Sequence, residues 1–335
     1  MSDDKLIIGK ENVSERNHSM DLLRVVACLG VIVFHMSSSV TVLGFVEKGS
    51  FDWSFWQAID RLFKWAVPIF AMITGFFFLN PEKELTLKKL FGKNILHLVL
   101  VLVFWTWFYA ITLHCLYTCY YPFGGQNTNF WYIGMCIGLY ISMPVLRCVA
   151  ADDKLLAYSC WIWLFIRIYC YIGYYVDVPI VFTDYVFTGY VGYCLWGYYL
   201  SRIKLDKKQT NAFYVVGLLS LVVTVTLPLL TKWEMVVDFE SPGPILFCIA
   251  LFLFVIKHPI QSSSRMTRIV EHVSSMTLGI YMVHTFVVME TFTRIHRFIP
   301  NPYLLVLVAI VVVFGLSYLI TLVIKQIPVL KKWVV

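Results

Sequence analysis

The chain has 335 residues, of which 59% are hydrophobic and 14% are charged, and its formal net charge is +7. Soluble domains carry about 25% charged residues, so this composition excludes an ordinary soluble protein. The basic residues are spread over short loops, which argues against a nucleic-acid-binding patch and is typical of a polytopic membrane protein.

Polar and apolar segments alternate along the chain and predict an all-α, polytopic integral membrane protein with about ten transmembrane helices. We expect an N-terminal tail at residues 1–19, a transmembrane domain at residues 20–327 and a C-terminal tail at residues 328–335. The predicted spans are residues 20–42, 59–79, 94–116, 131–149, 155–175, 183–201, 211–230, 242–257, 273–292 and 303–325.

The Lys and Arg residues predict the orientation of these spans. Of the 27, twenty fall in the tails, at the start of the first span and in alternate loops on one side. Four fall on the other side, and Arg61, Lys64 and Arg167 lie in spans or at their ends. Because loops rich in Lys and Arg stay in the cytoplasm, both termini are predicted to be cytoplasmic.

The first span carries three residues that are costly in a membrane, Asp21, Arg24 and His35. On an α-helix Arg24 and His35 differ by about 20° around the axis and by about 16 Å along it. Asp21 lies one turn before Arg24 on nearly the same side. The pattern therefore predicts an ion pair near one membrane surface and an imidazole near the bilayer centre. The imidazole is either functional or bonded structurally to a neighbouring helix.

Two further groups of charges allow both a structural and a functional interpretation. Asp60 and Lys64 are four residues apart, so they can form a structural salt bridge on one helix face. A row of lysines follows on the predicted cytoplasmic side. Its structural interpretation is that these lysines set the membrane topology and contact lipid headgroups. The functional alternative is a seat for the phosphates of a soluble donor, and the row comprises Lys83, Lys88, Lys89 and Lys93.

Later spans contribute two more polar features. Tyr281 and His284 are three residues apart in the ninth predicted span, so they share one helix face. Arg167 lies in the fifth span with no partner evident in its own helix. The cysteines have no metal-ligand spacing, so no metal is expected.

Two intramembrane histidines and an arginine, without a chain of carboxylates, favour acid–base or acyl chemistry over ion pumping. A neutral imidazole can take the proton of an attacking sugar hydroxyl, and an arginine at the cytoplasmic end can hold an anionic donor.

Five segments carry family-like motifs in a fixed order along the chain. Residues 21–27 (DLLRVVA), with Val31 and His35, place ten residues between an arginine and a histidine. The other four segments are residues 67–76 (VPIFAMITGF), 130–144, 192–200 and 278–284 (LGIYMVH). Together, in this order, they resemble the acyltransferase 3 family. The resemblance covers residues 20–325.

This resemblance implies a ten-helix O-acyltransferase of the bacterial inner (plasma) membrane. Such proteins take acetyl from acetyl-CoA, an acyl-CoA donor, and deliver it to a hydroxyl of a cell-envelope glycan or lipid-linked sugar. The resemblance implies that His35 is the catalytic histidine and that Arg24 is either its partner or a contact of the donor. The remaining expected site residues are Asp21 with the catalytic pair, Lys64, Lys88, Lys89 and Lys93 for the donor, and Tyr281, His284 and Trp131 for the acceptor.

The chain departs from the family pattern at two places. Thr74 replaces the usual serine. Lys88, Lys89 and Lys93 stand where the family often has a pair of arginines, which weakens the expected basic contact with the donor. A lysine binds phosphate as a point charge, without the bidentate fork of arginine.

Two other classes of protein compete with an acyltransferase. A transporter that exports a small acid or an acyl-modified lipid sugar also suits mid-membrane histidines and a span interrupted at Pro68, although no inverted repeat is evident. A membrane sensor is disfavoured because no attached soluble output domain is expected. Membrane lipids are expected neighbours, and the oligomeric state cannot be predicted.

Overall fold

The computed structural model describes residues 16–112, 130–175, 189–230, 237–260 and 265–333. Every regular element within these ranges is helical, which confirms the all-α prediction. Most of the predicted N-terminal tail and parts of the third and sixth predicted spans lie outside the described residues. The elements are α1 (His18–Val42), α2 (Phe51–Leu62), α3 (Ala66–Phe78), α4 (Leu87–Lys89) with a π-helical continuation (Leu90–Ile95), α5 (Leu96–Thr112), α6 (Trp131–Ala150), α7 (Asp153–Tyr175), α8 (Val191–Arg202), α9 (Lys207–Leu230), α10 (Pro242–Lys257), α11 (Arg265–Ser274), α12 (Thr277–Ile295), α13 (Pro302–Ile324) and α14 (Pro328–Trp333).

The helices agree with a polytopic membrane protein. Within the described ranges, 7 helical segments are long and apolar enough to cross a bilayer, or up to 8 if α11 and α12 form one bent span. Each of the ten predicted spans overlaps at least one described helix, but the second is divided between α2 and α3, and α8 and α10 have only 12 and 16 residues. The total of ten spans therefore stays a prediction.

The second predicted span, residues 59–79, is broken near its start by a short turn of residues 63–65 between α2 and α3. Pro68 follows as the third residue of α3, where its missing N–H costs no helical hydrogen bond. Asp60 and Lys64 pair beside this turn at 3.2 Å, as their spacing predicted. The break therefore places a charged pair within the membrane body.

Helices α3 and α8 touch through their backbones. A Cβ atom added to Gly75 would lie 1.8 Å from the carbonyl oxygen of Cys194, and one added to Gly197 would lie 2.0 Å from that of Met72. Only glycine permits such an approach. This contact holds α3 against the core and so positions Thr74, the neighbour of Gly75.

The bend between α11 and α12 lies at the same end of the molecule as the start of α1. The two helices differ in direction by 62°. Ser274, the last residue of α11, donates a hydrogen bond to Asp21 at 2.7 Å. Lys325 donates a hydrogen bond to the carbonyl oxygen of Ser275 at 2.6 Å. These contacts fix where α12, which carries Tyr281 and His284, begins.

Arg167 has its partner on a different segment of the chain. Its guanidinium binds the Glu240 carboxylate at 2.7 Å, and Tyr193 donates a hydrogen bond to the carbonyl oxygen of Phe239. The turn of residues 238–241, which precedes α10, is therefore held against α7 and α8. This ion pair is structural, and it supplies the partner for Arg167 that was not evident within its own helix.

Candidate functional site

The Asp21 carboxylate positions Arg24 at one end of α1. It accepts hydrogen bonds from Arg24 at 3.1 Å, Arg16 at 2.5 Å and Ser274 at 2.7 Å. The hydrogen bond with Asp21 raises the pKa of Arg16, which keeps its charge. Asp21 is buried and lines neither of the two cavities described below. Its role in this arrangement is to orient Arg24 and to tie α1 to α11.

The side chain of Arg24 lines a cavity of about 240 Å³, called the Arg24 cavity below. Its guanidinium lies over the ring of Phe77, with 5.1 Å between Cζ and the ring centroid. Arg24 is the one charged side chain among the described residues that line this cavity. The polar groups of the remaining lining come from Thr74, Tyr132, Cys136, Tyr140, Thr277 and Tyr281.

A series of ring contacts leads from the Arg24 cavity to His35. The ring centroids are 4.7 Å apart between Tyr132 and Tyr281, 5.3 Å between Tyr281 and His284, and 5.2 Å between His284 and His35. Tyr132 and Tyr281 line the Arg24 cavity, whereas His284 is fully buried behind them. The structure therefore brings Arg24, Tyr281, His284 and His35 into one contiguous region.

His284 is held in one tautomer by the backbone of its own helix. Its Nδ1 lies 2.5 Å from the carbonyl oxygen of Tyr281. Because a carbonyl oxygen can only accept, Nδ1 carries the proton and Nε2 is left as an acceptor. The hydroxyl of Thr285 lies 3.5 Å from Nε2 and can donate to it.

Tyr109 of α5 inserts its hydroxyl into α12 beside His284. The hydroxyl donates to the carbonyl oxygen of Met282 and accepts from the amide of Phe286, each at 2.9 Å. An α-helix normally joins these two backbone groups directly, so the insertion spreads the helix at this turn. Tyr109 thereby sets the position of His284 without contacting His35.

On its other side His35 lines a second cavity of about 280 Å³, called the His35 cavity below. The cavity lies between α1 and α12, and its lining is mostly apolar apart from His35 and two serines. His35 is half-buried and thus faces a cavity as well as the His284 ring. The residues that line this cavity with His35 are Ser38, Ser39, Val42, Leu43, Val288 and Met289.

Lys64 lies near His35, because its ammonium sits over the ring of Phe34 at 4.2 Å. The whole of α3, 13 residues long, separates Lys64 from the segment that carries Lys88, Lys89 and Lys93. These three lysines are exposed and line neither cavity. The four lysines expected at one donor site are thus not brought together.

Trp131 contributes to neither cavity lining. Its ring packs against Tyr190 at 5.7 Å and against Phe239 at 5.8 Å. Phe239 in turn contacts Phe34 at 5.7 Å, next to His35. Trp131 also contacts the ring of Tyr132 at 6.2 Å, so intervening aromatic rings link it to the His35 region on two paths.

Several side chains at the site escaped the sequence interpretation. Tyr132, Cys136 and Tyr140 recur every four residues and form one face of α6, a stripe that helical periodicity could have revealed. Ser38 belongs to a run of three serines just after His35, which is also visible in the sequence. Tyr109 carries no such signal, because its role depends on how α5 packs against α12.

The described residues contain no group of three or more His, Cys, Asp or Glu side chains that could hold a metal ion. The family model of an acyltransferase domain matches residues 17–322, which includes both cavities. The comparisons with curated proteins and with solved structures found no match.

Proposed function

The chain belongs to the acyltransferase 3 family, and on that basis we propose that it moves an acetyl group from acetyl-CoA to a hydroxyl of a cell-envelope glycan or lipid-linked sugar. The observation that carries this proposal is the ring series from the Arg24 cavity through Tyr281 and His284 to His35. It joins a cavity with a fixed positive charge to a cavity with a potential base.

The Arg24 cavity suits the donor. A guanidinium attracts phosphate groups and pairs with them in a bidentate manner, and the apolar walls suit the pantetheine arm of coenzyme A. The exposed Lys88, Lys89 and Lys93 lie in the segment leading to α5, whose Leu98 lines the same cavity. They are proposed to attract the nucleotide end of acetyl-CoA from the cytoplasm.

The reaction is proposed to occur where the two histidines meet. His35 takes the proton of the acceptor hydroxyl, and the hydroxyl oxygen bonds to the acyl carbon of the thioester. The carbon–sulfur bond breaks, and the sulfur of coenzyme A leaves as a thiolate that takes up a proton. Tyr281 is proposed to face the acyl donor from the wall of the Arg24 cavity, His284 to act from behind it against the His35 ring, and Trp131 to support this region through Phe239.

The chain is proposed to lie in the bacterial inner membrane with both termini in the cytoplasm. The excess of Lys and Arg on the side that carries Arg24 supports this orientation. The Arg24 cavity then faces the compartment that holds acetyl-CoA, and the His35 cavity lies toward the outside.

The test uses the full chain in membranes supplied with radiolabelled acetyl-CoA and the envelope glycan fraction of its own cells. We expect transfer of label to glycan, and we expect His35→Ala to abolish it while protein abundance is unchanged. His258→Ala is the matched control, because His258 is exposed at the end of α10 and lines neither cavity. Undiminished transfer by His35→Ala would refute the proposed role of His35.

The same preparation separates this function from the transporter alternative. A proton-coupled transporter would drive uptake or export of a small acid in sealed vesicles when a pH gradient is imposed without any donor. The acyltransferase is expected to show no such flux and to release free coenzyme A only when an acceptor is present.

A further inference from the structure

We propose that α11 is an interfacial helix whose Arg265 and Arg268 bind anionic lipid headgroups, and that this binding holds Asp21 in the position that orients Arg24. The lipid site is independent of the proposed acyl transfer, whereas its effect on the donor rests on that function. The inference comes from the three faces of α11 and from its hydrogen bonds with α1.

One face of α11 is buried and is bonded to the start of α1. Thr267 and Ser274 are buried, and their spacing of seven residues puts them within about 20° of each other around the helix. Ser274 donates a hydrogen bond to Asp21 at 2.7 Å. Arg16, which also binds Asp21, donates to the carbonyl oxygen of Glu271 at 2.9 Å. The buried face therefore fixes α11 beside the Asp21 carboxylate.

The other two faces reach the surface and differ in chemistry. Met266 is 66% exposed and Ile269 is 52% exposed, and they lie one turn apart. Arg265 and Arg268 are exposed, also one turn apart, and neither pairs with a carboxylate of a described residue. The apolar pair, the basic pair and the buried face point in three directions about 100–140° apart. A helix that lies at a bilayer surface beside protein meets three such environments, namely hydrocarbon, headgroups and protein.

The direction of α11 suits a helix at the membrane surface. It is inclined by 62° to α12, so it lies within about 30° of the membrane plane when α12 follows the bilayer normal. It also lies at the end of the molecule that holds Asp21 and Arg24, the side on which the excess of Lys and Arg falls. Anionic lipids give the cytoplasmic leaflet a negative surface potential, which matches the two arginines.

An anionic lipid is the occupant that fits both exposed faces of α11. Its phosphate pairs with the guanidinium groups of Arg265 and Arg268, while its acyl chains cover Met266 and Ile269. A soluble phosphate compound would pair with the arginines but would leave the two large apolar side chains in water. The pattern therefore favours a lipid over a soluble anion.

Hydrogen bonds connect this surface with the Arg24 cavity. Ser274 binds Asp21, which in turn binds Arg24 at 3.1 Å. Thr277, which lines the cavity, donates its hydroxyl to the carbonyl oxygen of Ser274 at 2.8 Å. A headgroup that holds α11 in place therefore stabilises both the guanidinium and one wall of the cavity.

The first experiment measures lipid binding without any reaction. The full chain in neutral detergent is titrated with phosphatidylglycerol, and native mass spectrometry measures the dissociation constant of the tightest bound lipid. We expect the double variant Arg265→Gln with Arg268→Gln to bind about 25-fold more weakly, because each basic residue contributes a factor of about five. Lys207→Gln with Lys208→Gln is the control, since both lysines are exposed at the start of α9 on the same predicted surface.

Two results of this titration would overturn the lipid site. One is equal affinity for phosphatidylglycerol in the native chain and in the double arginine variant. The other is displacement of the lipid by an equimolar amount of inorganic phosphate, which would assign the arginines to a soluble anion.

A photoreactive group tests the apolar face in a bilayer. Benzoylphenylalanine in place of Met266 is expected to crosslink to lipid acyl chains in phosphatidylglycerol vesicles. The same group in place of Arg268, on the basic face, should give a much lower yield. Mass spectrometry of the modified peptide measures both yields. A chain without lipid adduct at position 266 would contradict the proposed contact with the membrane.

The second experiment separates lipid binding from its effect on the donor. The KM for acetyl-CoA is compared between variants in the same vesicles, because vesicle charge repels acetyl-CoA from every variant alike. We expect Ser274→Ala to bind phosphatidylglycerol normally but to have about a fivefold higher donor KM than the native chain in vesicles that contain it, a factor typical of one lost hydrogen bond. In phosphatidylcholine alone the two should agree.

Ser275→Ala is the matched control, because the Ser275 hydroxyl donates only to the carbonyl oxygen of His272 in the preceding turn. A donor KM of Ser274→Ala that equals the native value in both kinds of vesicle would overturn the effect on Arg24. If no preparation transfers acetyl, the proposed function fails, and the titration and the crosslinking alone decide the lipid site.

Discussion

The imidazole rings of His35 and His284 lie with their centroids 5.2 Å apart, one on the first helix and the other near the C-terminal end of the chain. His35 lines the His35 cavity, whereas His284 packs against Tyr281, which lines the Arg24 cavity. Substitutions on either helix are therefore expected to affect the same step of the reaction.

The first prediction concerns the coupling of the two histidines. We expect His284→Gln to lower kcat for acyl transfer by about 10²-fold, a magnitude typical of a lost acid–base contact. Because groups that act as a unit are not additive, the double variant with His35→Gln, a milder change expected to leave a residual rate, should be no slower than His35→Gln alone. Steady-state rates of the three variants test this, and a further additive loss in the double variant would contradict a common step.

A second prediction tests the insertion of Tyr109 into α12. Removing its hydroxyl in Tyr109→Phe leaves the carbonyl of Met282 and the amide of Phe286 to pair directly, which shifts His284. We expect kcat to fall about tenfold, as small displacements of reacting groups do, with little change in the KM for acetyl-CoA. Tyr318→Phe is the control, because the Tyr318 hydroxyl contacts only the exposed side of α11 at His272. Equal rates in both variants would contradict a positioning role.

The third prediction addresses the charge in the Arg24 cavity. Arg24→Lys keeps the charge and removes the bidentate fork, so we expect the KM for acetyl-CoA to rise about tenfold. Asp21→Asn should have a similar effect, since Asp21 orients the guanidinium. Arg294→Lys serves as a control because Arg294 is exposed and pairs with Glu290 on the surface. If the donor KM is insensitive to both changes, the donor does not bind at Arg24.

Cys136 provides a direct probe of the same cavity. It lines the cavity beside Tyr132, so a small uncharged thiol reagent should modify it slowly, and acetyl-CoA, which has no free thiol to consume the reagent, should protect it. Peptide mass spectrometry with and without acetyl-CoA measures the protection. Cys136→Ser identifies the labelling that other cysteines contribute, including the exposed Cys148. Modification of Cys136 that acetyl-CoA leaves unchanged would place the donor elsewhere.

The last prediction concerns the contact between α3 and α8. A methyl group at Gly75 would collide with the backbone of Cys194, which cannot move as a flexible side chain could. We expect Gly75→Ala to destabilise the protein by about 3 kcal/mol, at the upper end for overpacking. Gly138→Ala is the matched control, because a Cβ atom there meets no atom within 4 Å. Thermal unfolding in detergent should show a large drop in Tm for the first variant and no drop for the second.

The sequence by itself determined the features that depend on one helix. The apolar runs predicted the all-α membrane fold, and helical periodicity predicted the pairing of Asp21 with Arg24 and of Asp60 with Lys64. These features follow from bond geometry within a few turns, which is the same wherever the helix packs.

Only the tertiary structure decided which helices meet. It placed His284 against His35 and paired Arg167 with Glu240. It also placed the ammonium of Lys64 over the ring of Phe34, whereas the sequence had grouped Lys64 with Lys88, Lys89 and Lys93 as donor contacts. The physical reason is that helices in a bilayer choose neighbours by close backbone approach and by hydrogen bonds between distant segments, as Gly75 with Cys194 and Tyr109 with α12 illustrate. No local pattern encodes those contacts, so the two cavities and their shared histidines emerge only when the helices are assembled.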